Sequence, residues 1–285
     1  MTVKDFPTIL QFDTSTACNQ SCIFCGIHGP NTRFTPQRMS LHLVESIMTQ
    51  TEGQKLDSIL PWEYGEVLLE LRLPEIVKII REHNQGPIVI FTNGSLYENR
   101  RMLATPGITE VHFTVNAATP ETYLKIHRVP LYRQVVKTIE WLEAQPNHPE
   151  ICLRFVACGM NLHELEEWKT QWSRFKRFVN RVIIAEQHPN YEELRLPDSY
   201  VSQINDDQTR DPGEMPCIHW GMAYITVNGY LTQCCMAPCY FGNVNEKSIK
   251  ELWQLRNRHG MRNSFCQNCP LRQPDWQARL RNLLS

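Results

Sequence analysis

Cys18-Asn19-Gln20-Ser21-Cys22-Ile23-Phe24-Cys25 is the stretch on which the reading of this chain turns. It sets three thiols at C-x3-C-x2-C spacing immediately after a run of strand-forming residues, 8–12. Three thiolates on one short loop can each hold one iron of a [4Fe–4S] cluster and leave the fourth iron open to an outside ligand, whereas clusters that only carry electrons take four cysteines. Zinc is the rival chemistry, with His28 the nearby candidate for a fourth ligand. Three incidental thiols are the bland alternative.

Outward from the triad, short apolar or β-branched runs alternate with helical patterns. Strands are expected at 8–12, 57–60, 88–92, 111–115, 151–157 and 181–185, with helices at about 40–50, 74–84, 131–145 and 162–179. Asn84-Gln-Gly-Pro87 and Gln145-Pro-Asn-His-Pro149 each stop a helix before a strand. This rhythm predicts an α/β fold, a parallel sheet with helices outside, whose chemistry sits at the carboxyl ends of the strands. Six units fall short of the eight of a closed barrel.

Beyond about residue 187 the pattern weakens into polar, Pro-containing and acidic sequence. The expected organisation is a core at 1–186, a connector at 187–216 and a small α+β unit at 217–285. In that unit Tyr224–Val227 and Tyr230–Thr232 flank Asn228-Gly229, a type I′ hairpin signal. A helix from Ser248 to about Arg262 follows, with Ser248 and Glu251 as its capping box.

The chain has 285 residues and 11 cysteines, an odd total in a length that needs no disulfide staples. Cys217, Cys234, Cys235, Cys239, Cys266 and Cys269 cluster near the end, and only Cys152 and Cys158 lie in between. Cys217 and Cys234 flank the expected hairpin as C-x11-G-x4-C, and Cys266-Gln-Asn-Cys269 closes the unit. Four thiolates from such pairs suit a structural zinc or an iron–sulfur cluster about equally on spacing alone. Cys152 and Cys158 read as buried small hydrophobes.

Twenty-nine Lys and Arg stand against 30 Asp and Glu, a net charge of −1, which argues against a nucleic-acid partner. No run approaches the roughly 18 apolar residues of a membrane span, and Met1–Asp5 lead into no signal-peptide core, so a cytoplasmic protein is expected. Trp168, Trp172, Phe175 and Val179 interleave with basic residues. Their spacing of four, three and four reads as the core face of a helix with a solvated basic face, rather than a stacking platform for single-stranded nucleic acid.

The sequence resembles the radical S-adenosylmethionine (SAM) superfamily, whose signature is this triad with an aromatic residue before the third Cys, as Phe24 is here. Further matches follow in order. Tyr64-Gly65-Glu66-Val67 is similar to the family's Gly-Gly-Glu-Pro, which binds the methionine amino group. Thr92-Asn93-Gly94 resembles its Thr-Asn-Gly turn. Thr114-Val115-Asn116, with Thr119–Tyr123 and Ile126-His-Arg128, resembles its fourth strand and following helix. Tyr64 and Val67 depart from the motif's Gly and Pro, and Thr114 and Asn116 replace the commoner Ser and Asp while keeping hydroxyl and acceptor chemistry.

The resemblance implies a partial (β/α)6 TIM-like barrel. It implies a SAM-binding [4Fe–4S] cluster on Cys18, Cys22 and Cys25, with Phe24, Gly65, Glu66, Asn93, Thr114, Asn116 and Arg128 touching S-adenosylmethionine. The C-terminal part resembles the SPASM auxiliary-cluster domain in its shortened, twitch form, through Gly242-Asn-Val244 and Ser248-Ile-Lys-Glu-Leu-Trp253. That implies a second, auxiliary [4Fe–4S] cluster on Cys217, Cys234, Cys266 and Cys269, with Cys235 the competitor of Cys234. The implied chemistry is reductive cleavage of SAM and hydrogen-atom abstraction from a C–H centre of a peptide or of a small polyol- or sugar-like metabolite. An electron donor such as flavodoxin or ferredoxin is implied with it. No leader-peptide module precedes residue 8, so a separate leader-binding partner is expected for a peptide substrate. A non-catalytic zinc- or cluster-binding interaction protein on the same fold, and an RNA-modifying enzyme, are the alternatives.

Overall fold

The computed structural model describes residues 4–30, 32–181, 190–196, 219, 221–235 and 237–259. Nine strands occur among them. The first six are β1 (Ile9–Phe12), β2 (Ser58–Leu60), β3 (Val89–Thr92), β4 (Glu110–Thr114), β5 (Glu150–Ala157) and β6 (Lys176–Arg181). β3, β4, β5 and β6 pair in sequence order and in parallel. β1 and β2 pair in parallel, and one bridge between Ile59 and Ile88 joins β2 to the edge of the β3 sheet. The six strands thus form one curved, open parallel sheet, the partial barrel expected from the rhythm of the sequence.

Helices α1 (Leu41–Thr49), α2 (Leu73–His83), α3 (Pro120–His127), α4 (Tyr132–Glu143) and α5 (Leu165–Gln171) are among the connections between the strands. Each begins or faces inward for a local reason. Ser40 caps α1 by accepting from Leu43 N–H, and Thr119 caps α3 by accepting from Thr122 N–H, with Pro120 fitting a first turn that needs no N–H. In α2 the buried residues are Leu73, Ile76, Val77 and Ile80, one face at helical spacing. Each such aliphatic burial contributes roughly 1.5–3 kcal/mol.

Strand alternation decides what faces the helices. On β4, Val111 and Phe113 are fully buried in the apolar core, and on β5 so are Leu153 and Phe155. The other faces of these strands carry His112, Cys152 and Arg154, and that of β1 carries Gln11, so the concave side is polar.

One expectation fails here. The helix expected over 162–179 ends at Gln171, and the sixth strand is already formed at Lys176–Arg181, ahead of the expected 181–185, of which 182–185 lie outside the described residues. Trp168 and Trp172 are buried as a helical stripe requires, but Phe175 lies in a turn and Val179 in β6. Parallel pairing of Cys152 through Ala157 with Lys176 through Arg181 overrides the helical period, which two short elements matched by coincidence.

Strands β7 (Met222–Ile225), β8 (Tyr230–Cys234) and β9 (Ala237–Asn243) extend the sheet on the far side of β1, in the order β2-β1-β7-β8-β9. β7 runs parallel to β1, and β8 and β9 are antiparallel to their neighbours. The hairpin at Asn228-Gly229 forms, but not as a type I′ turn. Gly229 N–H closes on Thr226 C=O, and only Gly229 has a positive φ, so Asn228 is spared the left-handed region that type I′ demands. Ser248 and Glu251 make the expected reciprocal capping box at the start of the last described helix, α6 (Ile249–His259).

Candidate active site

Cys18, Cys22 and Cys25 lie on the long loop between β1 and α1, at the carboxyl end of the first strand. Three contacts fix that loop. Ile23 N–H donates to Ile126 C=O of α3 at 2.9 Å, Glu66 N–H to Ala17 C=O at 2.7 Å, and Asn93 Nδ2 to Asn19 Oδ1 at 2.9 Å. Asn19 in turn donates to Ser95 Oγ at 2.9 Å, so the thiol loop is latched to the turn after β3.

Gly65 makes the second of these contacts achievable. Its φ is +105°, and a Cβ there would stand 2.6 Å from Ala17 O and 2.9 Å from Thr16 C. No other residue allows the backbone after β2 to approach the thiol loop so closely. Tyr64 is tolerated at the neighbouring position because its ring turns away from the loop, edge-on to Tyr224, and its hydroxyl reaches Cys235 C=O.

Glu66 is buried, and both its oxygens are engaged. Oε1 accepts from Thr92 Oγ1 at 2.5 Å and from Leu68 N–H at 2.9 Å, and Oε2 accepts from Asn93 N–H at 2.7 Å. Burial pushes its carboxyl above the ordinary range, opposed by those donors. Asn116, just beyond β4, is also buried. Its Oδ1 accepts from Val156 N–H at 2.8 Å, while its Nδ2 has no hydrogen-bond partner. Thr114 ends β4 and is half-buried. Phe24 packs with Ile23, Ile126, Cys158 and Leu194, a small apolar cluster under the thiol loop. Arg128 is exposed at the carboxyl cap of α3, with φ +60°.

The structure therefore gathers Cys18, Cys22, Cys25, Gly65, Glu66 and Asn93 through direct or one-residue links, and sets Asn116 at the end of the adjacent strand. Arg128 is on the surface of that region. Cys217, Cys266 and Cys269 lie outside the described residues; Cys234 ends β8 and Cys235 follows it, half-buried.

Several residues of the site carried no motif. His127 is buried beside Cys22, with Nδ1 3.3 Å from Sγ and 2.8 Å from Gln20 Oε1. Tyr123 stacks on the His127 ring at 4.1 Å and its hydroxyl accepts from Gln20 Nε2 at 2.8 Å. Burial pushes His127 down to about 3, so the imidazole is neutral. Asp13, at the end of β1, accepts from Glu63 and Tyr64 N–H at 3.0 and 2.9 Å and from the Tyr224 hydroxyl. The signal that could have found Asp13 and Gln11 is alternation: polar residues facing inward along a strand whose other face is Leu10 and Phe12.

The donor set fits an iron–sulfur cluster. Burial pushes the Cys18 thiol up to about 12, with Glu66 and Cys25 adding repulsion, and raises Cys22 further, with Cys18 and Cys25 adding theirs. Thiols that repel one another as anions are stabilised as thiolates by a shared metal cation. Among the described residues, only the ligand atoms of Glu110, His112 and Cys152 gather within 4.8 Å of one another. Three thiols on one loop offer one ligand to each of three irons and leave a fourth iron open. The unpartnered Asn116 Nδ2 at the adjacent strand end supplies a buried donor for a polar cofactor.

Three comparisons bear on the family. The model of the radical SAM superfamily matches residues 13–171, and that of an iron–sulfur cluster-binding domain, SPASM, matches residues 217–270. A probable GTP 3′,8-cyclase of Metallosphaera sedula is 28% identical over 184 residues, covering 63% of this chain and 54% of the relative. The chain thus spans about half the length of that curated relative. In structure the chain is similar to SuiB of Streptococcus suis bound to S-adenosylmethionine (TM-score 0.67, 15% identity, 94% of this chain and 71% of that one). It is also similar to anSMEcpe with bound AdoMet (TM-score 0.70, 12% identity, 96% and 95%). SuiB is also solved with its precursor peptide SuiA.

Proposed function

The chain belongs to the radical SAM superfamily, and from that premise we propose that it cleaves S-adenosylmethionine reductively and uses the product to abstract a hydrogen atom from its substrate. The observation that carries this reading is the meeting of three loop thiols with the Gly65-Glu66 backbone and the Thr92-Asn93 turn at the carboxyl ends of β1 to β3. The cofactors, a [4Fe–4S] cluster with S-adenosylmethionine and an auxiliary iron–sulfur cluster, supply a 5′-deoxyadenosyl radical and a second redox centre.

The chain's own part is to bind, orient and exclude. Cys18, Cys22 and Cys25 would hold the cluster, and His127, neutral and carrying its proton at Nδ1 toward Gln20 Oε1 and Cys22 Sγ, would donate to one of its sulfurs. Gly65, Glu66 and Asn93 would set the floor for the methionine end of the cofactor. Thr114, Asn116 and Phe24 would line the nucleoside end, and Arg128 would reach its carboxylate from the rim. Cys217, Cys234, Cys266 and Cys269 would hold the auxiliary cluster. This division keeps 1–186 as the core, 187–216 as the connector and 217–285 as the auxiliary unit.

The substrate is a peptide or a small polyol- or sugar-like metabolite, and an auxiliary redox centre favours net oxidation or bond formation at carbon over isomerisation. SuiB, with its precursor peptide, supports the peptide arm. A flavodoxin or ferredoxin would supply the electron. No helix among the described residues is long and apolar enough to cross a membrane.

Anaerobic reconstitution tests the proposal. About eight irons per chain and formation of 5′-deoxyadenosine with dithionite and SAM are expected. A variant with Cys18, Cys22 and Cys25 all replaced by Ala should hold about four irons and release none of that product. Bound zinc, or clusters without cleavage, would overturn it.

A further inference from the structure

Glu63 immediately precedes Tyr64-Gly65-Glu66 in the loop after β2, and its surroundings set it apart from the other carboxylates. It is solvent-accessible, yet it meets elements from three sides of the curved sheet. Gln11 Nε2 of β1 donates to it, the Cys235 thiol beyond β8 hydrogen-bonds to it, and the Arg154 guanidinium of β5 acts on it through space. A side chain within reach of β1, β5 and the end of β8 stands inside the concavity those strands enclose. Its peptide is rigid, because the N–H groups of Glu63 and Tyr64 both donate to Asp13 Oδ1.

Its neighbour Gln11 carries an independent sign of a missing ligand. Gln11 is 3% exposed, and Nε2 donates both to Trp62 C=O at 3.1 Å and to Glu63. Both partners are acceptors, so the amide cannot be turned the other way without setting oxygen against oxygen. Oε1 is thereby fixed on the opposite edge of the amide, and it has no hydrogen-bond partner. A buried acceptor left unmade costs about 1–3 kcal/mol.

The complement is therefore rich in donors, and the local charge says more. Asp13 keeps its proton to about pH 7, because burial and, to a lesser degree, the neighbouring Glu63 raise its carboxyl. Asp13 is filled by two N–H groups and the Tyr224 hydroxyl, whereas Glu63 takes the Gln11 amide and the Cys235 thiol. A neutral hydroxyl carries one proton and can meet only one of these acceptors; a primary ammonium carries three and can donate to Gln11 Oε1 and to Glu63 together. On the opposite wall Arg154 is committed to its own support. Nε donates to His112 Nδ1 at 2.9 Å, and the guanidinium lies over Phe91 and Phe178, 4.7 and 4.9 Å from their centroids.

We infer that Glu63 and Gln11 form a receptor for a primary ammonium group of the substrate, holding it beside the cofactor strand. The inference rests on the reading of this concavity as the substrate chamber of a radical SAM enzyme. It is the same whether the amine belongs to a basic peptide side chain or to an amino sugar.

Calorimetric titration of the reconstituted holoenzyme with SAM present tests it with two matched pairs. One pair is Nα-acetyl-lysine methylamide and its norleucine isostere; the other is glucosamine and glucose. We expect one amine to bind about tenfold or more tightly than its neutral partner, and that preference to disappear in Glu63→Gln. Which pair shows it distinguishes the peptide from the sugar source. Equal or undetectable binding within both pairs of the wild-type enzyme overturns the inference without recourse to any variant, as does a preference that survives in a folded Glu63→Gln. Failure of the wild-type holoenzyme to form 5′-deoxyadenosine, with amine preference intact, would instead overturn the radical reading and leave the receptor standing.

Discussion

Cys22 and His127, 105 residues apart in sequence, meet with sulfur and Nδ1 3.3 Å apart. The same nitrogen faces Gln20 Oε1 at 2.8 Å, and in that amide orientation it carries the proton and points it toward the sulfur. Nε2 is buried without a partner. The contact joins the loop after β1 to the helix after β4, through a ring that burial keeps neutral.

A donor to a cluster sulfur stabilises the more negative, reduced state. His127→Phe should therefore lower the potential of the SAM-binding cluster by about 40 mV, the equivalent of roughly 1 kcal/mol for one electron. Redox titration followed by electron paramagnetic resonance reads this directly. An unchanged potential would mean that His127 serves packing alone.

Gly65 tests the latch between the strand end and the thiol loop. Gly65→Ala puts a Cβ 2.6 Å from Ala17 O at φ +105°, with backbone on both sides and nothing flexible to yield. The expected cost is about 2–3 kcal/mol in urea unfolding, with iron content after reconstitution falling in step as the loop is pushed away. Full stability with full iron would refute the latch.

Asp13 makes a prediction about pH. Burial, the largest effect, raises its carboxyl from the ordinary 3.8 to about 7. In the fold it keeps its proton to about pH 7, while the unfolded chain releases it near 3.8, so unfolding between those values releases a proton. Stability should fall as pH rises from about 4 to about 7 and change no further above, with an amplitude on the order of 4 kcal/mol from this group. Asp13→Asn should flatten that part of the profile, measured as urea midpoints at several pH values. An identical pH profile for the variant would show that Asp13 does not titrate there.

The adjacent cysteines should separate cleanly. The Cys235 thiol is hydrogen-bonded to Glu63 in the concavity, whereas Cys234 ends β8 in ladder register with Ala237. Cys235 follows the strand in a turn, and its hydrogen bond to Glu63 holds its thiol on the concave side. Cys234→Ala should lower bound iron from about eight to about four, and Cys235→Ala should leave it at about eight. The reverse result would move the auxiliary cluster to the Glu63 side.

What the residues alone determine extends as far as local signals reach. The thiol triad, the βα rhythm and the Ser248–Glu251 capping box are each written within a few neighbouring residues, and the six parallel strands and the cap are all present in the fold. Periodicity failed where two elements shared one pattern. Trp168, Trp172, Phe175 and Val179 keep helical spacing, but strand pairing with β5 claims the last of them, and ladder energy is a property of the partner strand. Asn228-Gly229 correctly marks a turn, while the turn type was set by where the β7 and β8 ladders stop.

Only the tertiary structure decided the rest. His127 lies 105 residues from the sulfur it touches, and Glu63 is 52 residues from the Gln11 amide that holds it. No periodicity or motif spans such separations, because the contacts exist only after a curved sheet has brought β1, β5 and β8 around one space. A cysteine-rich loop announces itself in sequence, since its ligands are neighbours and their chemistry is unusual. A receptor assembled from one carboxylate and one unpartnered amide oxygen does not, since each residue alone is an ordinary polar side chain whose meaning lies in what faces it.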